Sequence, residues 1–557
     1  MRPAPLLLIV AMLTGCSSKV VALATGDSDQ TLRHRPAGTP ATSPGGPPIL
    51  IIALDGMNRE LLYDMLRAGE LPQLEELLGG DQLAHAYLDD HLLSTLPSTT
   101  MAAWVSAMTG VTPAEHGVTG NEYFIRERRE LACPAPISFS DSDATLSVYT
   151  DHYLDRLVEA PTVYELMRRR EPNIQIWVAM NHLFRGADHL LVATKSAIAK
   201  AFAGYFEHAL AHATGQTPSP KLYEKLDEAA IDAVVDHLAK DPLPDVLTLY
   251  ISGTDLYAHI AEEGPDRARR DYMRLIDTQL GRIADALRKR GRLDREWVLL
   301  LADHGHTPVL HDRKHALAGS DGAPVAVLRQ AGFRLRPFKR VVSDRDPFNA
   351  VFAYGGPLAY LYLADRSRCP GAKDRCSFEE PPRYGEDVLT AAEALFRANR
   401  DGAYDARMKD TLDMILVRRP RPYAEVDLPF EVYVGDGKTQ PVDEYISQHP
   451  HPTYVDFTER LHGLAVGVHG ERAGDVLLIA HDGDVERMDQ RYYFAEPYHS
   501  WHGSPSRRDS EVPLIVANHT HDAASIGRWV RVRLGDHPYL ERITDLLLGL
   551  RAGALGD

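Results

Sequence analysis

PPILIIALDG, Pro47–Gly56, places six apolar residues in a row and then stops at Asp55 and Gly56. A strand with no polar alternation is covered on both faces, which is the habit of parallel sheets. The Asp-Gly that ends it is a turn. The same pattern returns in PDVLTLYISGTD (Pro244–Asp255) and REWVLLLADHGH (Arg295–His306). Shorter runs of like character are NIQIWVAMN (Asn173–Asn181), GDVLLIAHDG (Gly474–Gly483) and VPLIVAN (Val512–Asn518). Helical patterns lie between them at Arg59–Leu78, Lys221–Lys240 and Asp271–Gly291. Strand alternating with helix predicts an α/β three-layer sandwich, with a mostly parallel central sheet and helices on both faces.

The chain has 557 residues, too many for one small core. That length allows a large α/β domain with an inserted subdomain, or two domains; with the resemblance given below, one domain over residues 48–540 is expected, with the insertion at about 310–470. The formal net charge of −17 disfavours a nucleic-acid polymer as partner, because binding a phosphate backbone needs a basic surface. A local cation can still outweigh that diffuse field for a small phosphate ligand.

The N-terminal residues MRPAPLLLIVAMLTGCSSKV read as a secretory leader, too short to span a membrane comfortably. Leu13–Cys16, LTGC, resembles a bacterial lipobox, so residues 1–16 are expected to be a lipoprotein signal and Cys16 its lipidated residue. Residues 17–47, rich in Pro, Gly, Ser and Thr, are expected to be a flexible tether. The location this implies is a bacterial cell envelope, by lipid anchor at the outer membrane, facing the periplasm or the surface. Cys369 and Cys376 are close enough in a polar loop for a local disulfide, leaving Cys133 as an odd thiol expected to be buried.

In open α/β folds ligands sit beyond the carboxyl ends of the strands. Three runs here deliver Asp55, Asp255 and Asp303 at that edge. One such Asp is ordinarily a turn former or a helix cap; three, two with His nearby, are harder to read so. Asp255 and His259 are four apart and share a helix face. Asp303 and His304 are adjacent at a strand end, and His502 stands before a Gly-Ser-Pro turn. Mixed carboxylate and imidazole donors suit zinc, and the set is large enough for two ions.

The sequence resembles the alkaline phosphatase superfamily in its type I phosphodiesterase/nucleotide pyrophosphatase branch. The elements that carry this are ALDG with Asp55, TMAAWVSAMTGVTPAEHGVTGN with Thr100, GTDLYAH with Asp255 and His259, ADHGH with Asp303 and His304, and HGSP…VPLI with His502, in the family's order. The resemblance implies an alkaline-phosphatase-like domain, often with a cap between the later ligands. It implies that Asp55, Thr100, Asp303 and His304 hold one metal and Asp255, His259 and His502 the other. Two zinc ions are expected, with manganese the alternative. Asn121 matches a family Asn that donates to a phosphoryl oxygen; a turn-forming Asn is the plainer reading.

Five hydroxyls crowd residues 94–100: Ser94, Thr95, Ser98, Thr99 and Thr100. The family nucleophile lies ten residues before the Gly of the TG pair and four before the aromatic. Gly110 and Trp104 both count back to Thr100, with Thr99 and then Ser98 as competitors that a helix N-cap would also explain. The expected chemistry is attack on a phosphate diester or nucleotide pyrophosphate and a phosphothreonine intermediate, with Asn121 and the Met101 N–H holding phosphoryl oxygens. His116 and His306 are given no chemical role.

The expected partner is a small phosphate ester. A phosphomonoesterase is the nearest rival, should Arg126, Arg128, Arg313 or Lys314 reach the extra charge of a dianion. A phosphoryl-group transferase is a second rival. A binding lipoprotein with a decayed site is disfavoured, because all seven metal-ligand positions are filled. Sulfate ester hydrolysis is disfavoured as well, since STLPSTTMAAW lacks the C/S-x-P-x-R pattern of the sulfatase branch.

Overall fold

The computed structural model describes residues 30–32, 45–135, 154–193 except 181, 220–337 except 241 and 320, and 346–553 except 423 and 425. The expected leader, the lipobox at Cys16 and most of the tether lie outside these residues. No helix among the described residues is long and apolar enough to cross a membrane.

The central sheet is mixed. Its order from one edge is Gln30–Thr31, His189–Leu190, Ile176–Ala179, Val246–Ile251, Ile49–Leu54, Trp297–Ala302, Leu514–Ala517 and Ala86–Asp89. The strands from His189–Leu190 to Trp297–Ala302 run parallel. Gln30–Thr31 and Leu514–Ala517 run against this block, and Ala86–Asp89 pairs antiparallel with Leu514–Ala517. Ile49–Leu54 sits between two parallel neighbours and is wholly buried, as its unbroken apolar run requires. Leu54 pairs with both Ile251 and Ala302, so three strands finish level with one another. That register is what brings Asp55, the start of the helix that carries Asp255, and Asp303 to one edge.

The helical pattern at Arg59–Leu78 is two helices, Arg59–Arg67 and Pro72–Leu77. Gly69 takes a left-handed φ of 68° between them, and Pro72 opens the second, where its missing N–H costs nothing. Pro220–Leu238 forms where expected and packs on Pro265–Lys289, which begins at Pro265 rather than at the expected Asp271.

A second sheet of six strands is antiparallel throughout: Ala350–Gly355, Leu358–Leu363, Val476–Ala480, Leu412–Arg418, Phe430–Gly435 and Lys438–Pro441. Two of the runs read with the parallel strands are corrected here. Val512–Asn518 enters the central sheet antiparallel, and Gly474–Gly483 belongs to the second sheet. An unbroken apolar run reports cover on both faces, not the direction of its neighbours. Alternate residues of the second sheet join different cores. Tyr360, Tyr362, Leu477 and Ile479 pack into the main core, while Ala359, Leu361, Val476 and Leu478 pack with Ala391 and Leu395 of the Thr390–Asp401 helix. One face of this region is therefore continuous with the body of the protein. Cys369 and Cys376 form a disulfide, and Cys133 is half-buried rather than buried, with its thiol 3.9 Å from the Leu131 carbonyl oxygen.

Candidate metal centre

Asp255 and His259 occupy the helix Gly253–Ile260, which starts directly beyond its strand. Gly56 follows Asp55 with φ at +66°, and a Cβ there would stand 2.7 Å from His306 Nε2 and 2.9 Å from Asp255 Cβ. Only glycine fits between these groups.

His502 arrives from far along the chain. A short antiparallel pairing of Thr307 with Trp501 and a bond from His499 N–H to the His259 carbonyl (2.8 Å) carry it in. All seven expected metal ligands then converge. Asp55, Asp303 and His304 offer ligand atoms within 4.8 Å of one another, and so do Asp255, His259 and His502. Thr100 Oγ1 lies 3.2 Å from His304 Nε2, so the hydroxyl joins the first group.

The imidazoles are oriented by backbone. Nδ1 of His259 lies 2.7 Å from the Ser500 carbonyl, that of His502 3.0 Å from the Ser98 carbonyl, and that of His304 3.0 Å from the Gly305 carbonyl. A carbonyl only accepts, so each Nδ1 carries the proton and each Nε2 of a neutral ring presents a lone pair inward. His306, which sequence reasoning passed over, is set differently, because its Nε2 donates to a carboxylate oxygen. Its Nδ1 lies 3.1 Å from Ser500 Oγ and its Nε2 2.8 Å from Asp255 Oδ1. The same Oδ1 lies 3.4 Å from His259 Nε2 and 3.5 Å from His502 Nε2. The signal for His306 was its place two residues beyond His304 in ADHGH.

Asp55 Oδ1 and Asp303 Oδ2 are buried with no hydrogen-bond partner, each 3.4 Å from His304 Nε2. Burial and then the charge of Asp55 push Asp303 well above the usual carboxylate range; burial and then Asp255 push Asp55 up. Burial opposes ionisation of Asp255 too, but His259 and His306 beside it prevail and hold it well below that range. Burial holds His502 and His306 down, favouring their neutral forms. Burial opposes a charge on His304, but Asp303 and then Asp55 beside it prevail and raise it to about 10. Buried carboxylate oxygens without partners, gathered round imidazole nitrogens, are what a cation satisfies. The donors present fit one.

A model of the type I phosphodiesterase/nucleotide pyrophosphatase family matches residues 49–351, more than half of the chain. The chain belongs to that family. It is accordingly a phosphoric ester hydrolase of the alkaline phosphatase superfamily, from a metal-dependent family that acts on small phosphate esters. The match stops before His502, which the fold brings to Asp255 and His259 from outside the matched residues.

The hydroxyl cluster separates by contact. Thr100 opens the helix Thr100–Thr109, and Thr99 is its N-cap residue, without a side-chain capping bond. Ser98 Oγ receives a bond of 2.7 Å from Arg460 Nη2, which also donates to the Thr95 carbonyl (2.9 Å). Arg460 Nη1 reaches the Val455 and Pro505 carbonyls, both at 3.2 Å. This buried guanidinium thus ties the loop before Thr100 to the turn after His502. Arg460→Ala should cost about 2–4 kcal/mol, since the carbonyls it serves are left sealed from water. A lower melting temperature together with reduced kcat is expected; an unchanged melting temperature would show that water replaces it.

Asn121 Oδ1 accepts from Met101 N–H at 3.0 Å. The expectation that this N–H holds a phosphoryl oxygen is corrected: it is engaged by Asn121, whose Nδ2 is left as the donor of that amide. His116 is buried, with its Nε2 2.9 Å from Ser106 Oγ. Arg126 pairs with Asp475 and the Leu363 carbonyl, and Arg313 and Lys314 are exposed.

Proposed function

We propose that the protein hydrolyses phosphate diesters or nucleotide pyrophosphates through a phosphothreonine formed on Thr100. The observation that carries this is Thr100 Oγ1 at the N-terminus of a helix, 3.2 Å from His304 Nε2, within the Asp55–Asp303–His304 group. Asp55, Asp303 and His304 with Thr100 would hold one zinc ion, and Asp255, His259 and His502 the other. Zinc suits three imidazoles with carboxylates better than magnesium does. Its charge would lower the pKa of a hydroxyl and offset charge on a leaving oxygen.

Thr100 Oγ attacks phosphorus in line, loses its proton to solvent, and the leaving alkoxide or phosphate departs. The positive end of the helix and Asn121 Nδ2 face the charge that builds on the phosphoryl oxygens. Water then attacks the phosphothreonine, the P–Oγ bond breaks, and Thr100 regains a proton. His306, hydrogen-bonded to Asp255, orients that carboxylate. The second sheet and its disulfide loop form the region we assign to leaving-group selection. An envelope location through a lipid on Cys16 is supported by LTGC at Leu13–Cys16, and the Cys369–Cys376 disulfide suits an oxidising compartment.

Diesters are favoured over monoesters because Arg126, a candidate for the extra charge of a dianion, is engaged by Asp475. With the zinc-loaded enzyme, kcat/KM for bis-p-nitrophenyl phosphate should exceed that for p-nitrophenyl phosphate by about a hundredfold or more. A preference for the monoester would make the enzyme a phosphomonoesterase. Turnover of neither, with metal bound, would favour a transferase.

A further inference from the structure

The second sheet carries a cluster of donors that the phosphoryl-transfer centre does not use. Its strands Leu412–Arg418 and Val476–Ala480 are antiparallel, with Leu412 opposite Ala480 and a bulge between Leu412 and Met414. A bulge re-aims the side chain it displaces, here Asp413. Asp413 and His481 therefore meet at one end of the sheet, and Asp484 follows in the next turn. His481 Nδ1 lies 2.7 Å from Asp484 Oδ2 and 4.0 Å from Asp413 Oδ1. The ligand atoms of all three fall within 4.8 Å of one another. Asp413 is fixed from outside: Oδ1 lies 2.8 Å from His451 Nε2, and Oδ2 accepts from Tyr454 OH at 2.7 Å. Asp484 Oδ1 accepts from the Asp482 N–H at 2.7 Å.

A separate observation concerns the residue between two of these ligands. Asp482, between His481 and Asp484, is fully buried, and neither of its carboxylate oxygens has a hydrogen-bond partner. Its charge acts on Tyr454, together with those of Asp413 and Asp484. Asp509, another carboxylate whose charge reaches it, already accepts from Ser504 and Thr307. The Arg491 charge reaches Asp482 and favours its carboxylate, while the guanidinium donates its hydrogen bonds to the Val485, Glu486 and Pro308 carbonyls. A sealed carboxylate without a partner is costly, and a nearby cation relieves it.

We propose that Asp413, His481 and Asp484 hold a divalent transition-metal ion, distinct from the phosphoryl-transfer centre, with His451 and Tyr454 orienting Asp413. Two carboxylates and one imidazole match zinc, whereas an imidazole among the ligands argues against calcium. The His481 side chain is 31% exposed, so water can complete the coordination. The ion would be structural. It would brace the sheet end against the 449–456 segment, where Tyr454 bridges Ser506 and the Arg507 N–H donates to the Thr453 carbonyl at 2.7 Å. Those residues follow His502, so the ion would stiffen the wall that carries it.

The test is the zinc content of the purified full-length protein after zinc loading and removal of excess. Wild type, His481→Gln, Asp255→Asn and the double variant would be compared. One equivalent should be lost with His481→Gln, and lost again when that change is added to Asp255→Asn. A folded His481→Gln protein with wild-type zinc content overturns the proposal. Should that variant fail to fold, anomalous diffraction at the zinc edge from zinc-grown wild-type crystals decides. A peak between Asp413, His481 and Asp484 upholds the site, and its absence overturns it.

Discussion

Thr100→Ala should lower kcat/KM for a diester substrate by on the order of 10⁴-fold or more, the scale on which a covalent nucleophile is lost. The change removes the hydroxyl 3.2 Å from His304 Nε2 and little else. Alanine is a good residue for the first helical turn, so the helix should persist and the melting temperature should move little. Thr99→Ala should retain activity within a few-fold. Thr99 is the cap residue, and no hydrogen bond to its buried Oγ1 is broken by the change. Ser98→Ala should act on stability instead, because Ser98 Oγ receives Arg460. Acid-quenched wild-type enzyme should carry a phosphate on the peptide containing Thr100, read by mass spectrometry. Should Thr99→Ala be the inactive variant and Thr100→Ala the active one, the nucleophile moves by one residue and the alignment on Gly110 and Trp104 fails.

Asp255→Asn should have the second large effect, through charge rather than shape. Asp255 Oδ1 stands within 2.8–3.5 Å of the Nε2 atoms of His306, His259 and His502. It is the one carboxylate of its group, and the buried imidazoles around it cannot replace its negative charge. Asparagine keeps the size and still offers an oxygen, yet a neutral oxygen is a poorer ligand for a divalent ion. At least one equivalent of bound metal should be lost. Turnover should fall by roughly 10³-fold or more, as expected when several kcal/mol of transition-state charge stabilisation are removed. Metal analysis and kinetics on one preparation check this. Full metal content with near-normal kcat would mean that Asp255 only orients histidines, and the assignment of the second ion would fail. His306→Ala then becomes the informative variant, because His306 touches the same oxygen.

Much of the central architecture was legible because its signals are local. An apolar run that ends in Asp-Gly marks a buried strand and its turn without reference to any partner, and Ile49–Leu54, Val246–Ile251 and Trp297–Ala302 form where their runs stand. The four-residue spacing of Asp255 and His259 is a property of one helix, and it holds. Pro72 and Gly69 could have been read as the break between two helices, by the same local rule.

What only the tertiary structure decided depends on contacts between distant segments. Sheet direction is one: Gly474–Gly483 and Val512–Asn518 are as apolar as the parallel strands, but burial is indifferent to whether a neighbour runs up or down. The proton positions on His259, His304 and His502 are another, since backbone carbonyls of Ser500, Gly305 and Ser98 set them, two of these remote in sequence. The capture of the Met101 N–H by Asn121 is a third, between residues on different elements. The Asp413–His481–Asp484 cluster lacked recognisable spacing, because a strand register and a bulge, not a helix period, bring its atoms together. The sequence by itself determined which residues could ligate and where strands end; the packing of distant strands and loops decided which of them meet.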